Sequence, residues 1–173
     1  MTTGKLFVVA TPIGNLEDIT LRAIKTLKEV DIVAAEDTRV TSRLFARHGI
    51  ERPVVSYHEH NEKKRAPQLV ARLKAGVNIA LVSDAGTPGI SDPGYRLVRL
   101  SLESSIPVVS IPGPSAIISV LSVSGLSASG FTFKGFVPAQ EGKKKRFILE
   151  CKSIPSHTFV VYESAGRVKE TLQ

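Results

Sequence analysis

The chain is poor in the residues that staple a small fold or mark a metal site. Among 173 residues there is one cysteine, one methionine and no tryptophan, and aromatic residues make up only 6%. Cys151 has no partner within the chain, which excludes an internal disulfide. No group of Cys and His has metal-ligand spacing, so no metal is expected. The opening MTTGKLFVVATPIG lacks the long apolar stretch of a secretion signal and predicts a cytoplasmic protein. Three familiar signatures are missing as well. No G-x-G-x-x-G follows the first predicted strand, and neither G-x-x-x-x-G-K-[ST] nor G-x-S-x-G occurs. Dinucleotide oxidoreductases, P-loop nucleotidases and α/β-hydrolases are thereby excluded. A charge-free run of 30 residues, Ser104 to Phe133, has the length of a bilayer span, but three prolines, three glycines and nine serines interrupt it. No membrane-spanning segment is expected.

What is present suits a folded protein. Hydrophobic residues at 42% and charged residues at 23% supply a core without staples. Lys and Arg number 23 against 16 Asp and Glu, a formal net charge of +7. The excess is uneven: residues 121–173 hold 8 basic and 4 acidic residues, with Lys143, Lys144, Lys145 and Arg146 in one run. Lys63-Lys64-Arg65 is a second run. Such runs suit either a polyanionic partner or a solvated helix start, and composition does not choose between them.

Short apolar runs alternate with amphipathic segments over the first 120 residues. Strands are predicted at 6–10, 31–35, 54–56, 78–83 and 107–111, most of them nearly continuous in apolar residues. Thr20 is read as the cap of a helix that aligns Leu21, Ile24 and Leu27. Thr38 or Thr41 caps the next, which Gly49 stops. A third runs over 64–75 with Pro67 in its first turn and Gly76 as its stop, and helices at 95–104 and 115–124 follow. This alternation predicts an α/β fold with a parallel, doubly wound sheet. Beyond Gly130 the texture changes: 131–136 and 158–162 read as one hairpin's worth of strands around a basic helix at 143–152, with a last helix from Gly166. Two domains are accordingly predicted. Residues 1–125 form an N-terminal α/β domain with strand-end ligand loops, and 126–173 begin a second α/β domain that is completed elsewhere, since two strands do not cover themselves.

Open parallel sheets bind ligands beyond the carboxyl ends of their strands. The loops at that edge are the most unusual segments of the chain: Thr11–Asn15, Glu36–Arg39, Asp84–Gly94 and Pro112–Ala116. Gly and Pro stiffen such loops while letting the backbone approach a ligand, and two carboxylates, Asp84 and Asp92, sit in the longest. His58 and His60 are read as strand-end residues. The strings TPIGNLEDIT, AAEDTR, SDAGTPGISDPG, PGPSA and VVYES, in that order, resemble the tetrapyrrole methylase superfamily. Within it they are similar to the branch that methylates the 2′-oxygen of a cytidine in small-subunit ribosomal RNA. The resemblance runs from Leu6 to about Leu172. It implies S-adenosylmethionine held between two α/β domains, usually in a homodimer. Carried over by position, Pro12 lies against the cofactor and substrate, and Asp84, Thr87 and Pro88 form the cofactor loop. Ser115 and Ala116 are the next contact, and Tyr162 and Glu163 the first from the second domain. Corrin methylases have a Gly-rich first loop where this chain has TPIGN, which favours the RNA branch.

Methyl transfer from a sulfonium to a ribose oxygen needs chiefly alignment and a proton acceptor. Glu36 and Asp37 are the candidate bases, and Asn15 the candidate for orienting the ribose. Arg39, Arg43 and Arg47 recur at i, i+4, i+8, and with Lys143, Lys144, Lys145 and Arg146 they are the candidate contacts to small-subunit ribosomal RNA. Two rivals stay open: a tetrapyrrole or corrin methylase using the same cofactor, and a non-catalytic RNA-binding module in which the Gly/Pro loops are scaffold.

Overall fold

Residues 2–173 are described by a computed structural model. Five strands, β1 (Leu6–Val9), β2 (Ile32–Ala35), β3 (Val54–Ser56), β4 (Ile79–Val82) and β5 (Val108–Ile111), form one sheet in the order β3-β2-β4-β1-β5. Every pairing in it is parallel, with Leu6 opposite Ile79 and Val108, and Ile32 also opposite Ile79. Helices α1 (Leu21–Glu29), α2 (Thr38–His48), α3 (Glu62–Lys74) and α4 (Tyr95–Glu103) make the crossovers. Because all strands run the same way, their carboxyl ends share one edge. Because β2, β4, β1 and β5 are contiguous, the four unusual loops stand side by side along it.

The apolar strands feed two cores, one on each sheet face. Val33, Ala35, Ala80 and Val82 join Leu27 of α1 and Leu44 and Phe45 of α2. Their neighbours Ile32, Ala34, Ile79 and Leu81 point the other way and join Leu69 and Leu73 of α3 and Leu97 of α4. Each fully buried Leu, Ile or Val contributes about 1.5–3 kcal/mol of transfer free energy. A strand buried on both faces has no place for alternating polar residues, which explains the continuous runs.

Several local expectations are corrected. Leu21 opens α1 but is 86% exposed, and the buried stripe is Ala23, Thr26 and Leu27. Thr20 does cap α1, accepting from Ala23 N–H at 3.0 Å. The cap of α2 is Asp37, not Thr38 or Thr41, and its carboxylate accepts from Arg39 N–H at 2.8 Å. Helix α3 starts at Glu62, so Pro67 lies inside it rather than in its first turn. A 3₁₀ turn at Leu16–Asp18, capped by Asn15, was not anticipated.

The chain divides into two compact units after Ala116. The second, Ile117–Gln173, holds most of α5 (Ala116–Val123), then β6 (Phe131–Phe136), α6 (Glu141–Lys152), β7 (Thr158–Tyr162) and α7 (Val168–Leu172). Its strands do not make a hairpin. They pair in parallel, because the 12-residue α6 returns the chain to the end where β6 began. Ile117 and Leu121 of α5 pack with Val160, Phe133 and Tyr162, which gives this unit its own small core. Among the described residues no helix is long and apolar enough to cross a membrane.

Candidate active site

The strand-end loops of the first unit are clasped to one another by short polar contacts. Thr11 and Gly86 form an isolated antiparallel bridge, with Thr11 N–H donating to Gly86 at 2.9 Å and Gly86 N–H to Thr11 at 3.0 Å. The Thr11 hydroxyl, buried with its residue, also donates to the Ser83 carbonyl at 3.0 Å. Gly86 has φ +82, a left-handed conformation that a side chain would strain. The β1 and β4 loops are thereby fixed together where a ligand would meet both.

The β2 and β4 loops are joined by carboxylates. Asp37 N–H donates to Asp84 Oδ1 at 2.9 Å, and Asp84 N–H donates to Glu36 Oε2 at 3.3 Å. Asp92, farther along the same loop, is half-buried and electrostatically coupled to both Asp84 and Glu36. Burial pushes the Glu36 carboxyl above its ordinary range; the Asp84 N–H opposes this, while the Asp84, Asp92 and Asp37 carboxylates reinforce it. Burial likewise raises Asp92, partly offset by the Ser83 hydroxyl, with Asp84 adding to the rise. Asp37 is the opposite case. Its hydrogen bonds from the Arg39 guanidinium, 2.6 Å away at the closest, hold it down at about 2. An acid that low and already bridged is a poor proton acceptor at neutral pH, so Asp37 serves as a helix cap and an anchor for Arg39. Glu36 is shifted the other way, above its ordinary range. The side-chain oxygen of Asn15 is engaged by Glu17 N–H at 3.1 Å, which leaves its amide nitrogen as the group it can offer a substrate.

Two cavities flank the β4 loop. One, of about 30 Å³, lies among Thr11, Pro12, Leu16, Thr41, Ser83 and Asp84, and has room for a water but not a cofactor. The other, of about 310 Å³, is lined by Glu59, Glu62, Asp92 and Tyr95 among others, and its size reaches the low end of small-molecule sites. Thr87 is half-buried and Pro88 buried within the loop, while Ser115 and Ala116 are half-buried after β5. Among the described residues no three His, Cys, Asp or Glu side chains are grouped to hold a metal ion.

The model of the tetrapyrrole (corrin/porphyrin) methylases matches residues 5–173. The chain belongs to that family. It is 50% identical over 167 residues to the ribosomal RNA small subunit methyltransferase I of Mesorhizobium japonicum, covering 96% of this chain and 56% of that protein. To the protein of the same name from Haemophilus influenzae it is 49% identical, covering 99% of this chain and 60% of that one. The chain thus spans little more than half the length of these relatives. A solved diphthine synthase shares the fold at TM-score 0.70 and 20% identity, over 94% of this chain and 66% of that one.

In this tetrapyrrole methylase the candidates on the second unit are held by their own neighbours. Tyr162 packs edge-on against Phe133, with ring centroids 4.9 Å apart. Burial would raise Glu163, but Thr171, Arg167 and the Ser164 N–H together draw it below its ordinary range, and Arg167 pairs with it at 2.6 Å. The basic run is split by the helix. Lys143, Lys145 and Arg146 are exposed, whereas Lys144 is buried and pairs with Glu170 at 2.7 Å and Glu141 at 3.0 Å. Lys144 is therefore withdrawn from the candidate RNA contacts: successive helical residues turn by about 100°, so one of four consecutive positions points inward. On α2, Arg47 pairs with Glu17 at 3.1 Å, and Arg43 makes no ion pair among the described residues.

Sequence reasoning left out two contributors. Asp92 was read only as a loop carboxylate, although the repeated Ser-Asp of SDAGTPGISDPG was a signal for it. Tyr57, just after β3, belongs to no motif. It is 1% exposed, and its hydroxyl accepts from Leu97 N–H at 3.2 Å, securing the first turn of α4 behind the loop that carries Asp92.

Proposed function

We propose that this chain is part of an S-adenosylmethionine-dependent methyltransferase that modifies the 2′-oxygen of a cytidine in small-subunit ribosomal RNA. The observation that carries this reading is an identity of 50% sustained over 96% of the chain to a protein bearing that ribosomal RNA methyltransferase name. The site geometry is consistent with it. Glu36, Asp84 and Asp92 form a strand-end cradle whose nearby cation, Arg39, is already bound to Asp37. Such an excess of negative charge fits a ligand with an ammonium and a sulfonium. When bound, that ligand supplies an activated methyl group.

In this reading Asp84 and the Thr87–Pro88 backbone hold the cofactor, with Pro12, Ser115 and Ala116 beside it. Glu36 accepts the proton of the ribose hydroxyl, because its raised pKa makes it the better base of the strand-end pair. Asn15 turns its amide toward the ribose. The exposed cations Arg43, Lys143, Lys145 and Arg146 meet phosphates. The intact protein works as a homodimer in the cytoplasm.

The test uses the full-length protein with methyl-labelled S-adenosylmethionine, offered small-subunit particles, free ribosomal RNA and a panel of corrinoids and porphyrins. Label recovered as 2′-O-methylcytidine after nuclease digestion is the expected result. Label in a tetrapyrrole, or none in RNA, overturns the reading, and a monomer by sedimentation overturns the dimer.

A further inference from the structure

Internal carboxylates neutralise several of the cations that the sequence pattern singles out: Arg39 with Asp37, Arg47 with Glu17, and Lys144 with Glu141 and Glu170. Helix α3 differs. Lys63, Lys64, Arg65, Arg72 and Lys74 are all exposed on it, and among the described residues none of the five is in an ion pair. The single acid of α3, Glu62, is paired with Arg96 of α4 at 3.3 Å. Ala66, Leu69, Val70 and Leu73 take the buried side, so the cations share the remaining arc, roughly 200° wide, with Pro67, Gln68 and Ala71.

The placement of this face ties it to the candidate site. Glu62, at the start of α3, lines the 310 Å³ cavity together with Asp92. At the other end the Leu73 carbonyl accepts from Gly4 N–H, just ahead of β1. The helix therefore runs from the strand-end edge to the opposite edge, a length of about 20 Å. Lys63, Lys64 and Arg65 lie in its first turn, against the positive end of the helix dipole, where cations destabilise the fold. Stability alone gives no reason for that arrangement, whereas a bound polyanion does. The exposed arc carries no large apolar side chain of the kind that enters a lipid surface.

We propose that the exposed face of α3 is a phosphate-backbone track that carries an RNA strand along the first unit to the strand-end edge. The proposal rests on the RNA reading above and adds a surface that neither Arg43 nor the α6 run provides.

The test titrates the full-length protein with small-subunit ribosomal RNA at several salt concentrations. The variant replaces Lys63, Lys64, Arg65, Arg72 and Lys74 with Gln, a good helix former. A matched variant replaces Arg22, Lys25 and Lys28 of α1, on the other sheet face, with Gln. Loss of the track lowers affinity equally for every RNA sequence, and flattens the slope of log affinity against log salt by about 0.7 per lost contact, hence up to roughly 3.5 units. Melting temperature is no lower than that of the wild type, since cations are removed from the positive end of the helix dipole, S-adenosylmethionine affinity stays at its wild-type value, and the α1 variant keeps most of the wild-type slope. An unchanged slope in the α3 variant, or an equal change in the α1 variant, overturns the track while leaving the methyltransferase reading intact. A wild-type protein that binds no RNA overturns both. Should the five-fold variant melt early, Lys63→Gln with Lys64→Gln and Arg65→Gln alone gives the same comparison, with an expected change of about 2 units.

Discussion

Asp84 has two separable effects, and two substitutions distinguish them. Its carboxylate accepts from Asp37 N–H at 2.9 Å, and its charge raises both Glu36 and Asp92. Asp84→Ala removes acceptor and charge together; Asp84→Asn keeps an acceptor oxygen. A hydrogen bond to a charged group contributes about 1.5–3 kcal/mol. Asp84 is exposed, which places its contribution at the low end, near 1.5 kcal/mol, or roughly tenfold in affinity. Calorimetry of the full-length protein with S-adenosylmethionine is expected to show a dissociation constant about tenfold higher for the Ala variant. The Asn variant loses less, because the β2–β4 clasp survives. It also melts no lower than wild type, since removing one of several mutually repelling carboxylates relieves Glu36 and Asp92. Wild-type cofactor affinity in Asp84→Ala, with unaltered melting, would refute the placement of the ligand at this clasp.

Three further outcomes are expected. Glu36 has a raised pKa in the fold, so its ionisation opposes folding; the contribution of Glu36 to stability is most favourable below its ordinary 4.5 and is lost as pH rises through the raised value. Glu36→Gln should therefore melt higher than wild type at neutral pH, with the gain vanishing below about pH 4.5, while methyl transfer is lost; equal melting curves at all pH values would contradict this. Tyr57→Phe leaves the buried Leu97 N–H without its partner and should cost about 1–3 kcal/mol, read as a lower urea midpoint at unchanged m value. Lys144→Gln should lower the melting temperature without altering the salt dependence of RNA binding, because Lys144 is engaged by Glu141 and Glu170; a changed salt slope would return it to the RNA surface.

The sequence by itself determined the first unit's architecture and the edge at which to look. Runs such as Ile79–Val82 are apolar at every position because both faces of a parallel strand are covered, and that pattern is local. The Gly- and Pro-rich strings likewise marked the loops, since positive-φ positions such as Gly86 leave their trace in residue type. Only the tertiary structure decided what the charged residues do. Whether Asp37 is a base or an anchor depends on Arg39 folding back over it, and whether Lys144 or Lys143 reaches solvent depends on the rotation of α6 against α7. The partner of Glu36, 48 residues away at Asp84, is set by strand order, which brings β2 beside β4, and that of Tyr57, 40 residues away at Leu97, by the packing of α4 in the same core as Tyr57. The parallel pairing of β6 and β7 was not legible for the same reason: alternation fixes that a segment is a strand, but pairing direction is set by where the intervening helix packs. Burial pattern is written residue by residue in a chain, whereas electrostatic partnership is a property of distances between segments, and only the fold supplies those.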